Sequence, residues 1–77
     1  MKSEFDIALG KRLRRRRKLK GMTQSEIGTV LGVTFQQIHK YEVGQSSPTA
    51  FRLWQFARAV DLPIEELFEE INPGQKA

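Results

Sequence analysis

A chain of 77 residues holds one domain with a small core, whose stability needs well-matched helix packing or a partner subunit. With no cysteine and one histidine it has no disulfide, no thiolate-zinc site and no evident donor set for a metal. The net charge of +4 is unevenly laid out. Residues 1–23 hold nine Lys or Arg against two acids, whereas residues 61–77 hold one base against five. A basic surface confined to one end suits a polyanion, either nucleic acid or an anionic membrane. No apolar run approaches the roughly 20 residues that span a bilayer. The polar start Met1-Lys2-Ser3-Glu4-Phe5-Asp6 is unlike a signal peptide.

Strand-like alternation is nearly absent, and helix signals follow one another with clear boundaries. A first helix is predicted over about 5–20, with Leu9 and Leu13 on one face and Gly21 as its stop. Thr23-Gln24-Ser25-Glu26 is a capping box that opens a second helix. Its expected buried stripe is Ile27, Val30 and Leu31, and Gly32 ends it. Thr34 caps a third helix that carries Ile38 and Tyr41 inward and stops at Gly44. After the polar loop Gln45-Ser46-Ser47-Pro48, Thr49 caps a fourth helix to about Val60, with Leu53, Phe56, Ala57 and Val60 inward and Trp54 also read as core. Pro63 breaks the chain, and a fifth helix over 64–71 places Ile64, Leu67, Phe68 and Ile71 on one stripe. Residues 72–77 read as a frayed tail. The expected architecture is a compact all-α domain of five helices.

The segment from Gln24 to Val43 carries the most information. A helix-turn-helix joins two helices at a steep angle through a short turn. It needs a small residue where the helices pack closest, a residue tolerant of positive φ in the turn, and apolar side chains at the inward positions. Gly28, Gly32, and Ile27, Leu31, Val33, Ile38 and Tyr41 meet those seven requirements.

Gly21-Met22-Thr23-Gln24, Leu31-Gly32-Val33-Thr34 and Tyr41-Glu42-x-Gly44 resemble the phage-repressor (Cro/cI, or Xre) family of helix-turn-helix domains, over about 9–68 of the chain. The resemblance implies a lambda-repressor-like fold, one domain over 1–77 with its motif at 24–43, and a bacterial cytoplasmic, nucleoid-associated transcription regulator. It implies a homodimeric repressor of double-stranded DNA whose third helix enters the major groove. It further implies base contacts from Phe35, Gln36 and Lys40. Gln36 suits adenine, Lys40 suits guanine O6 and N7, and Phe35 suits a thymine methyl. Gln37 and His39 border that set.

Phosphate contacts are expected from Gln24 and Thr34 at helix starts, from the loop around Ser46, and from Arg12, Arg15 and Arg16 of the first helix. The resemblance implies a structural ion pair between Arg17 and Glu42, and Arg17 also falls four residues after Leu13 on the buried face. Phe51, Leu67, Phe68 and Ile71 form a candidate dimer patch.

Plainer readings stand beside these: a solvated face for the basic run, core packing for Phe35, an ordinary exposed histidine for His39. The carboxylates Glu65, Glu66, Glu69 and Glu70 read as a solvated helix face. A protein-docking module, as in some antitoxins and coactivators of the family, is the second functional reading. An enzyme is disfavoured, because no nucleophile-base pair, phosphate-cradling loop or metal set is present. A membrane-surface role conflicts with the use of the first helix's apolar face in the core. No cofactor and no small-molecule ligand are expected.

Overall fold

A computed structural model describes residues 3–71, with side chains through 69; the expected frayed tail over 72–77 lies outside the described residues. Five helices follow in order: α1 (Glu4–Leu19), α2 (Gln24–Leu31), α3 (Phe35–Glu42), α4 (Ala50–Ala59) and α5 (Ile64–Ile71). The fold is all-α, and no strand occurs among the described residues.

Four of the helices start on a hydroxyl. Ser3, Thr23, Thr34 and Thr49 each accept a hydrogen bond from the backbone N–H three residues on, and each such cap stabilises its helix by about 1 kcal/mol. At α2 the capping box is complete, since the Glu26 carboxylate also accepts from the Thr23 amide at 2.8 Å. These caps matter because helices of eight residues, such as α2 and α3, are too short to persist alone.

The remaining stability comes from one core. It joins Leu9 and Leu13 of α1, Ile27 and Leu31 of α2, Ile38 and Tyr41 of α3, Phe56 and Ala57 of α4, Val60 and Leu62 after it, and Leu67 of α5. Burying each large member contributes about 1.5–3 kcal/mol. The helix α3 packs against both α1 and α2, while α4 covers α2 and α5 covers α1.

Three expectations about burial need correction. Val30 is 49% exposed, because Ile27, Gly28 and Leu31 already fill the inward arc of α2. Trp54 is 46% exposed. It lies about 160° around α4 from Phe56 at 100° per residue, and it stacks on exposed Phe51 and carries Arg58 over its ring. Leu67 is fully buried. It sits at the centre of the inward stripe of α5, so it cannot belong to an exposed dimer patch. The Ile71 side chain lies outside the described residues.

Two polar ties close the loops. The Ser47 hydroxyl donates to Asp6 Oδ1 at 2.6 Å, fixing the α3–α4 loop to the start of α1. The hydroxyls of Ser47 and then Ser3 hold the Asp6 carboxyl below its ordinary pKa. Lys20 donates to Asp61 and lowers that carboxyl too, and Arg16 Nη2 donates to the Asp61 carbonyl at 2.6 Å.

Candidate nucleic-acid interface

The turn between α2 and α3 is built on two glycines. Gly32 has φ of +73°, the left-handed conformation that disfavours a side chain. At Gly28 an added Cβ would stand 2.7 Å from the Val33 carbonyl oxygen, so only glycine allows this approach. The Val33 amide then donates to the Gly28 carbonyl at 2.9 Å, locking the angle between the helices.

A second anchor fixes α3 against α1. Arg17 Nε and Nη2 donate to the two oxygens of Glu42 at 2.6 and 2.9 Å, a bidentate pair buried between the helices. Arg17 Nη1 also donates to the Met22 carbonyl at 2.8 Å, tying in the α1–α2 turn. Gln24 Nε2 donates to Glu42 Oε1 at 3.0 Å, which links the start of α2 to the end of α3. The helices meet so closely here that a Cβ on Gly10 would stand 2.4 Å from the carbonyl oxygens of both Tyr41 and Glu42. Gly10 did not emerge from the motif pattern. A lone glycine inside a helix, where it costs about 1 kcal/mol against alanine, was its available signal.

With one face of α3 so held, the other is free. Phe35, Gln36, His39 and Lys40 are exposed, and Gln37 is half-buried at their edge. At 100° per residue these four exposed positions span an arc of about 140° on one side of the helix. Phe35 is 51% exposed, so core packing does not account for it.

A groove runs beside this arc between α1 and α3, lined by Ile7, Lys11, Arg14, Arg17, Gln24 and His39, with Glu42 and Val43 at its end. It divides the basic residues of α1. Lys11 and Arg14 precede Arg17 by six and three positions and so share its flank. Arg12 and Arg16, expected at phosphates, turn to the other side. Arg12 is half-buried within electrostatic reach of Glu66, and Arg16 bonds the corner before α5. Arg15 is exposed on the outer face. The contiguous run of base residues concealed this split; a helical wheel anchored on Arg17 would have disclosed it.

The loop after α3 also differs from expectation. The amides of Gln45 and Ser46 both donate to the Lys40 carbonyl, at 2.9 and 3.3 Å, and so finish the helix. They are not free to receive a phosphate. Thr34 Oγ1 accepts from the Gln37 amide at 3.2 Å, which leaves its hydroxyl hydrogen to donate elsewhere.

The family model described as Helix-turn-helix matches residues 13–67, which contain the turn, the buried ion pair and the exposed arc. The chain belongs to the phage-repressor-like helix-turn-helix family. This helix-turn-helix chain is 43% identical over 70 residues to HTH-type transcriptional regulators of Sinorhizobium medicae and Rhizobium meliloti, covering 91% of its own length and 50% of theirs. It thus spans about half the length of the curated relatives it matches. Among solved structures it resembles the restriction-modification controller protein C.AhdI from Aeromonas hydrophila, at 29% identity and a TM-score of 0.73 over 80% of this chain and 94% of that one. It shares its fold with the clp gene regulator ClgR from C. glutamicum, at 22% identity and a TM-score of 0.81 over 94% of each chain.

Proposed function

We propose that this helix-turn-helix chain is a sequence-specific regulator of transcription that binds double-stranded DNA, reading the major groove with α3. The observation that carries the reading is the exposed arc of Phe35, Gln36, His39 and Lys40 on a helix whose opposite side is pinned by Gly28, Gly10 and the Arg17–Glu42 pair. A helix held this rigidly places side chains on base edges with little ordering cost. Gln36 donates and accepts at adenine, Lys40 donates to guanine, and Phe35 packs on a thymine methyl, with Gln37 at the margin. The DNA backbone is held by Lys11, Arg14 and Arg15 from α1, by Gln24 at the start of α2 and by the Thr34 hydroxyl.

The protein acts as a homodimer on a two-fold related site and represses by covering it, in the bacterial cytoplasm. Exposed aromatic surface supports a second copy. Phe51 stacks on Trp54 along α4, and Phe68 of α5 stacks on Phe5 of α1, each pair with ring centres about 6 Å apart.

Selection of bound duplexes from random DNA tests this reading. The expected result is two inverted half-sites with centres about 34–36 Å apart. Repeating the selection with Lys40→Ala is expected to relax one base pair in each half-site, a loss of about 1–3 kcal/mol of discrimination there. Absence of any enriched sequence, or an unchanged profile for the variant, would refute the assignment.

A further inference from the structure

The groove between α1 and α3 contains the only histidine of the chain. Its surroundings fix what that imidazole does when uncharged. Both oxygens of Glu42 accept from Arg17, so the carboxylate acts as an acceptor only. Gln24 therefore turns its amino group, not its carbonyl oxygen, toward Glu42, at 3.0 Å. The same nitrogen lies 3.5 Å from His39 Nδ1. An amino group facing Nδ1 makes a hydrogen bond only with the tautomer whose proton is on Nε2.

The charged groups that line the groove around it are mostly cationic. From α1 come Lys11, Arg14 and Arg17, from α2 the uncharged Gln24, and from α3 itself Glu42 and the neighbouring Lys40. Glu42 is already matched by Arg17, which leaves an excess of positive charge facing the ring. A phosphodiester entering the groove reverses that balance, because an opposite charge within a few ångströms stabilises the protonated imidazole.

We propose that His39 is a phosphate ligand whose protonation is coupled to DNA binding, so that the groove holds a backbone phosphate through Lys11, Arg14 and the imidazolium. Protonation makes Nδ1 a donor, breaks its contact with the Gln24 amino group, and lets Gln24 turn toward the same phosphate. The proposal rests on the DNA-binding reading and adds a proton to it. The sign follows from linkage. The bound imidazole holds its proton to higher pH than the free one. The gain in affinity is therefore complete below the free value and is lost as pH rises through the bound value.

The test uses the intact chain and a labelled duplex carrying its selected site, titrated from about pH 5.5 to 8 at constant ionic strength, a range in which histidine is the side chain that ordinarily changes charge. Affinity is expected to fall up to about tenfold per pH unit within the linked window, the limit for one proton. His39→Gln is expected to flatten that dependence while the variant keeps its helical circular dichroism. The single imidazole resonance of the unaltered chain is expected to titrate at higher pH with duplex bound than without. A pH-independent affinity, an equal slope in His39→Gln, or an imidazole indifferent to the duplex would overturn the proposal and leave DNA binding standing. Failure to bind any duplex at any pH would overturn the DNA reading, and the proton linkage with it.

Discussion

Glu42 has no exposed side-chain surface to hydrate its charge, and the Arg17 side chain is 9% exposed. Each ion is stable inside the protein because the other is present, and two further hydrogen bonds, to Met22 and from Gln24, complete the set. Removing one partner strands the other. Glu42→Ala is expected to cost about 3–5 kcal/mol in denaturant unfolding. Replacing both ions by apolar residues, as in Arg17→Met with Glu42→Leu, is expected to recover most of that loss, since the desolvation penalty disappears with the charges. An exposed carboxylate behaves differently. Asp6 is held below its ordinary pKa by Ser47 and Ser3. Above about pH 5 both folded and unfolded forms are ionised and its contribution is complete. As pH falls through the ordinary and then the folded value, the unfolded chain takes up the proton first and the contribution drains away. The melting temperatures of the native chain and of Asp6→Asn should therefore differ at neutral pH and converge in acid.

At the scale of helices, close approach decides which substitutions the domain tolerates. Gly10→Ala drives a methyl group into two backbone carbonyls of α3, neither of which can rotate away. Its cost in thermal or denaturant unfolding is expected to exceed the about 1–3 kcal/mol usual for an overpacked core. Gly32→Ala meets no atom within 4 Å and carries only the strain of its positive φ, about 1–2 kcal/mol. The two flanks of α1 are also separable. Arg14 faces the groove beside His39, whereas Arg16 is bonded to the corner before α5. Arg14→Ala should lower the slope of log affinity against log salt by about 0.9, and Arg16→Ala should leave that slope unchanged.

Much of this was legible in the sequence because helices of this kind are punctuated by chemistry. The capping threonines and the glycines after the first three helices mark ends, and the spacing of Ile27, Leu31, Ile38 and Tyr41 marks the inward faces. What escaped is of two kinds: a close approach between residues distant in sequence, as of Gly10 to Tyr41 and Glu42, and local geometry that residue type alone does not show. Within α4, helical spacing sets Trp54 opposite Phe56 and beside Phe51 and Arg58, yet its apolar character alone reads as core. Likewise, the Gln45 and Ser46 amides look available until the Lys40 carbonyl is found to accept from both.

For the molecule as a whole, charge and shape separate into two sides. The exposed arc of α3 and the basic flank of α1 adjoin one another, while the exposed acids of α5 and the aromatic ridge of α4 lie on other helices. The central claim is that the first of these surfaces meets DNA. Amide chemical-shift mapping of the chain, with and without a duplex carrying its selected site, tests it most directly. Perturbations are expected to gather at Gln24, at residues 34–40 and along the flank of Lys11 and Arg14. Changes confined to α5 or to the Phe51–Trp54–Arg58 ridge, with α3 undisturbed, would contradict the account.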